Sequence, residues 1–213
     1  MASRIQQVHS LDALLAPFTR EVNARCFSRT LTGDFEAVAR QLATDGVLEV
    51  DAELLQSAPG LDAAAVRVLL DDLAWLTSLG REPQLNVITH YPKDTRGLPI
   101  TVDVHSFHVD SAPVEADTFL CTYAGACSEG LENEAALRLI DEPTVQAALR
   151  AQGLEAEAHH FDLHFAAAPG AQPFSFGVGS LWRLAVDWPG SPSLPCIHRA
   201  PAWDGRPRLL LIS

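Results

Sequence analysis

Pro83 separates two textures of hydrophobic patterning along the chain. Before it, apolar positions recur at helical spacing. Residues 61–79 are the clearest case: Leu61, Ala65, Val68, Leu69, Leu73 and Leu76 follow the 3.6-residue period and Gly80 supplies a stop. Ser10 is placed to cap a short helix over 11–16, closed by Pro17, and Asp34 to cap another over 35–43, closed by Asp45-Gly46. One strand is expected here, over 22–31. After Pro83, short β-branched and aromatic runs alternate with turn residues. They predict strands over 85–91, 100–109, 118–123, 156–165, 174–178, 181–186 and 209–212. Residues 131–149 read as helical or irregular, with Pro143 opening a turn of helix. Helices first and many short strands afterwards imply an α+β chain, with helices packed on a β-sandwich or barrel rather than an alternating βαβ sheet. The expected organisation is one domain over 1–213. Its 1–82 part is mainly helical and its 83–213 part is a β-barrel carrying the chemistry.

Composition narrows the function classes. The chain has 213 residues, enough for a core without staples, and its 47% hydrophobic content excludes wholesale disorder. The net charge of -12 disfavours nucleic-acid binding and docking on anionic membranes. No stretch has signal-peptide or transmembrane character, so the expected location is cytoplasmic. Cys26, Cys121, Cys127 and Cys196 form no C-x-x-C pair, which fits small buried hydrophobes better than a zinc ribbon. Neither a phosphate-binding loop nor a G-x-S-x-G elbow is present.

The chemistry concentrates in Ser106-Phe107-His108-Val109-Asp110. Residues two apart on a strand face the same side, so His108 and Asp110 offer an imidazole nitrogen and a carboxylate oxygen together. His198 is the candidate third ligand. Two histidines and one carboxylate on one face leave three coordination positions open, the ligand set of non-haem Fe(II) oxygenases. Ten residues on, Arg208 stands where 2-oxoglutarate oxygenases hold the far carboxylate of their co-substrate, a task that suits a planar guanidinium. Arg206 and Arg199 are weaker candidates for it. Tyr123, on the strand after H-x-D, either bonds the co-substrate carboxylate or packs in the core.

A second group, His160, Asp162 and His164, would share one strand face, as a zinc site, a wall of the substrate pocket or a solvated polar face. Trp182, Trp188 and Trp203 either line an apolar pocket or pack in the core, with Trp182 the candidate pocket residue. His105 has the opposite strand parity from His108 and should point away from the triad.

With these motifs in place, the chain resembles the bacterial family known as domain of unknown function 1826. The resemblance runs through Glu21-Val22-Asn23-Ala24-Arg25, Asp71 to Leu76, Phe107 to Asp110, Leu120 to Gly125, and Ile197 to Pro201 with Arg208 to Leu211. It implies that His108, Asp110 and His198 belong to a shared pattern resembling a cupin-type metal barrel, a double-stranded β-helix or jelly roll. A zinc-homeostasis role is implied as well, since family members sit among genes for zinc homeostasis. The chain departs from the family pattern after Gly125, where Ala126-Cys127-Ser128 replaces a Pro-Gly-Thr turn. The expectation is an Fe(II)-dependent, 2-oxoglutarate-dependent oxygenase acting on a small molecule or peptide. The alternative is a non-catalytic zinc-binding protein using the same three ligands.

Overall fold

The computed structural model describes residues 3–154 and 161–213, which form an α+β structure of two mostly antiparallel sheets and five α-helices. The N-terminal part contributes β1 (Ile5–Val8), α1 (Leu11–Leu14), β2 (Ala24–Phe27), α2 (Phe35–Leu42), β3 (Val47–Glu49), α3 (Ala52–Ser57) and α4 (Ala63–Ser78). Asp34, Asp51 and Asp62 each accept a backbone N–H at the start of a helix, so aspartate caps open α2, α3 and α4. This part is less helical than its patterning implies. β1, with two glutamines in four residues, and β3, with only three residues, are too short to show a period-2 signal.

The remaining elements are β4 (Gln84–Ile88), β5 (Phe107–His108), β6 (Asp117–Ala124), β7 (Glu129–Leu131), β8 (Ala136–Arg138), α5 (Pro143–Ala151), β9 (His164–Ala167), β10 (Phe174–Ser175), β11 (Leu181–Ala185), β12 (Ile197–Arg199) and β13 (Arg208–Ile212). Pro143 opens α5, as expected. The strand expected over 100–109 shrinks to Phe107–His108. Asp103 diverts the chain before it: its carboxylate accepts the His105 N–H and its carbonyl accepts the Ser106 N–H, a local turn that competes with a ladder. Residues 156–160 of the strand expected over 156–165 lie outside the described residues, and the rest contributes only the start of β9.

The larger sheet has the order β1-β2-β11-β6-β13-β4-β3, the smaller β10-β7-β12-β5-β9-β8. Of the named strands among the described residues, only β1 and β2 pair in parallel. Three strands from before Pro83 join the larger sheet, so that proline marks a change of texture and not the limit of a sheet. Along β6, Phe119, Cys121 and Tyr123 pack with Phe35, Leu69 and Leu76 of the helices. Leu120 turns the other way, joining Trp182, Leu184, Leu210, Phe176 and Cys196 between the sheets. Full burial of each such side chain contributes about 1.5–3 kcal/mol. The layers are therefore helices, larger sheet, smaller sheet. Among the described residues no helix is long and apolar enough to cross a membrane.

Candidate metal centre

The smaller sheet builds a row of histidines. His198 on β12 pairs in register with His108 on β5, and His108 pairs with His164 on β9. Their neighbours Ile197, Phe107 and Phe165 pack together on the opposite face. Period-2 alternation therefore sends all three imidazoles to one side. On the far side of His198 the row continues with Gly130. A Cβ there would collide with the Phe174 ring, so glycine leaves room for the aromatic stack that backs His198.

Hydrogen bonding sets the tautomers. The Nδ1–H of His108 donates to the Ser106 carbonyl at 2.8 Å, and that of His198 to the Cys196 carbonyl at 3.3 Å. A carbonyl only accepts, so Nδ1 carries a proton in each ring, and Nε2 is the nitrogen that can offer a lone pair. Asp110 follows directly after β5, and its Oδ2 lies 3.8 Å from His198 Nε2 and accepts the Thr118 hydroxyl at 2.6 Å. One donor atom from each of His108, Asp110 and His198 lies within 4.8 Å of the others. The three expected ligands are thus brought together. Their donor chemistry fits a divalent cation: two imidazoles and a carboxylate, each oriented by a second partner. A cation held at ~2.1 Å from each requires the donor atoms to draw closer together than they stand here. Burial lowers the His198 pKa, partly opposed by Asp110, which keeps the ring neutral as a ligand must be.

His164 belongs to the row but lies outside this trio. Its ring centroid is 6.2 Å from that of His108, against 4.7 Å for the His108–His198 pair. The Ser106 hydroxyl donates to the Asp103 carbonyl at 2.9 Å, so it must accept from His164 Nδ1 at 3.1 Å. That makes Nε2 the lone-pair nitrogen here too. Burial, with the neighbouring His108, pushes the His164 pKa down to about 4. Of the group His160, Asp162 and His164, only His164 lies on a strand among the described residues. Asp162 sits in a turn before β9, and His160 lies outside the described residues.

Arg208 opens β13 on the face toward the smaller sheet and is 5% exposed. It donates to the Ser128 hydroxyl at 2.6 Å, the Tyr91 hydroxyl at 3.2 Å and the Thr122 hydroxyl at 3.3 Å. Its Nε has no partner, and among the described residues no carboxylate pairs with it. Desolvation lowers its pKa, offset in part by Tyr91 and Cys127. Gly125 lets the chain pass this close: its φ is +76°, and a Cβ would sit 2.8 Å from the Pro207 carbonyl oxygen.

A cavity of about 740 Å³ is lined by Arg208, Tyr91, His105, Ser106, Arg199 and Trp203, among others. The three candidate ligands are not among its lining residues. Ser106 connects the two, lining the cavity while its carbonyl holds His108. Two assignments are corrected. Tyr123 does not face Arg208; it is one residue out of parity, and its hydroxyl donates to Asp72 at 2.5 Å on the helical side. Tyr91, just beyond β4, is the tyrosine at Arg208. Trp182 is a core residue, stacked on Phe176 at 4.4 Å with its indole N–H on the Phe176 carbonyl, and lines no cavity described. Trp203 takes the cavity wall instead. Arg199 and Arg206 are already paired, with Glu129 and with Asp204 and Glu36. His105 packs edge-to-face on Tyr91, away from the ligand trio.

Comparison with family models, curated proteins and solved structures finds no match to this chain.

Proposed function

We propose that the protein is a non-haem Fe(II) oxygenase that uses 2-oxoglutarate, with His108, Asp110 and His198 as metal ligands and Arg208 as the co-substrate clamp. The observation that carries the reading is the pairing of two features. One is a trio of oriented ligands that leaves coordination positions open. The other is a buried guanidinium ringed by three hydroxyls and paired with no carboxylate among the described residues. A buried unpaired cation is unfavourable unless an anion arrives. Bound iron supplies dioxygen activation, coupling conversion of 2-oxoglutarate and O₂ to succinate and CO₂ with insertion of one oxygen atom into a substrate C–H bond.

The chain's own contributions are orientation and charge. The Ser106 and Cys196 carbonyls fix the two imidazoles, and Thr118 orients Asp110. Arg208, Ser128, Thr122 and Tyr91 present the donors a terminal carboxylate needs.

Strand order supports a double-stranded β-helix as the fold behind this site. The four strands β4, β13, β6 and β11 are adjacent in the larger sheet, and β5, β12, β7 and β10 in the smaller, apart from the edge additions. Successive strands β4 to β7, and then β10 to β13, alternate between the sheets, as a jelly roll requires. Membership of the domain of unknown function 1826 family is part of the same proposal.

One observation favours a second reading. His164 offers a third Nε2 lone pair in the same row, and its approach would complete a closed four-ligand zinc site. Anaerobic titration with Fe(II) and then 2-oxoglutarate separates the two. The oxygenase reading expects a weak visible charge-transfer band, lost in His108→Ala and Arg208→Leu, and succinate formation in air. Tightly held zinc with no band, and zinc affinity that falls in His164→Ala, would establish the second reading instead.

A further inference from the structure

The cavity beside Arg208 concentrates positive charge in an acidic protein. It is lined by Lys93, Arg199, Arg206 and Arg208, four of the chain's 15 cationic side chains, but by only three of its 27 acidic ones. Most of these charges are already used. Glu129 holds Arg199 at 2.6 Å, and Asp204 holds Arg206 at 2.6 Å. Asp103 accepts backbone N–H groups from His105 and Asp94. Asp94, the acid next to Lys93, is taken by Arg96 at 2.8 Å. Two cations remain without a carboxylate among the described residues: buried Arg208 and exposed Lys93. Lys93 is the only lysine in the sequence.

The wall has an apolar side as well. Trp203 lines the cavity while 53% exposed, an uncommon setting for so large an aromatic. Tyr91 and His105 add an edge-to-face pair at 5.8 Å. The volume of about 740 Å³ falls within the ~300–1,000 Å³ typical of small-molecule sites.

We propose that the primary substrate is a small amphipathic carboxylic acid, its carboxylate paired with Lys93 and its apolar or aromatic body against Trp203. A lone ammonium matches a monoanion; a phosphate dianion calls for more donors than Lys93 supplies. The proposal rests on the oxygenase reading only in assigning Arg208 to the co-substrate, which leaves Lys93 for a second anion.

The single lysine gives a one-site assay. Protein loaded anaerobically with Fe(II) is acylated with a water-soluble acetyl ester, and mass spectrometry reads Lys93 modification against the α-amino group as internal reference. Phenylacetate and octanoate are the probes, each beside its neutral amide. The expected result is that at least one carboxylate slows Lys93 acylation by about tenfold when it stands about ten times above its dissociation constant. Its amide should leave the rate unchanged, and Trp203→Ala should weaken the protection without altering the unprotected rate. Equal protection by acid and amide, no protection by either acid, or equal protection by 2-oxoglutarate alone would overturn the proposal. The charge-transfer titration fails separately: a band without protection removes only the substrate assignment, and protection without a band removes only the oxygenase reading.

Discussion

Two arginines flank the larger sheet, one on each side, and their surroundings differ in one respect. Arg29 lies on the helical side. Its guanidinium meets Asp72 with two nitrogens, its Nε donates to the Gly179 carbonyl at 3.1 Å, and Tyr123 donates to the same carboxylate. Burial works against the Arg29 charge, but the Asp72 bonds outweigh it and raise its pKa. Arg208 lies on the side toward the smaller sheet, with hydroxyls in place of a carboxylate, and burial lowers its pKa. The first is a closed network that ties α4 to the sheet. The second is an open one with room for an anion. A buried charge therefore reads as structural or functional according to whether the fold supplies its counterion.

Opening the closed side should produce the largest effect. Asp72→Ala leaves the half-buried Arg29 without its carboxylate and Tyr123 without its acceptor. A loss of about 3–5 kcal/mol in unfolding free energy is expected, measured by urea denaturation. A loss under 1 kcal/mol would show that the two arginines do not differ as argued. The matching change on the open side is Arg208→Leu. Relief of an uncompensated buried cation offsets the lost hydroxyl bonds, so stability should stay within about 1 kcal/mol of wild type. Binding of 2-oxoglutarate to the Fe(II) protein, by contrast, should weaken by about 2–5 kcal/mol. Comparable stability losses in both variants would erase the distinction.

Adjacent residues on β6 sharpen it further. Thr122 bonds Arg208 and Tyr123 bonds Asp72, on opposite faces of one strand. Tyr123→Phe should lower stability by about 1–3 kcal/mol and leave the charge-transfer band unchanged. Thr122→Val should do the reverse, weakening 2-oxoglutarate binding by about 1 kcal/mol with little effect on unfolding. Calorimetry and the optical titration on the two variants check both halves.

The same strand explains what the sequence revealed and what it hid. The H-x-D spacing, the distant histidine and Arg208 were legible because local parity and chain order carry them. The two readings of Tyr123 are not separable in the sequence, because choosing between two faces needs to know which one the helices cover, and that is a tertiary fact. Trp182 was misplaced for the same reason. Tyr91 has no motif partner in sequence; it reaches Arg208 through β4 pairing with β13. β12 left little trace because a three-residue strand, set between Pro195 and Pro201, gives no period. The row of histidines was invisible, since register between β12, β5 and β9 sets it.

That row also yields a pH dependence. His164 is surrounded by His108 and Ser106, with Asp103 near enough to oppose the shift slightly. Its folded pKa of about 4 lies below its ordinary 6.5, so between these values the unfolded chain binds the extra proton. Unfolding free energy must then rise with pH across that window. The His164 contribution is fully present above pH 6.5 and is lost as pH falls toward 4. In metal-free protein, His164→Gln should flatten that part of the stability–pH curve while keeping the Ser106 contact within reach of its amide. A slope unchanged by the substitution would mean that the open side of the molecule titrates elsewhere. It would also remove the argument that His164 stands neutral beside the ligands, on which its service as a fourth zinc ligand depends.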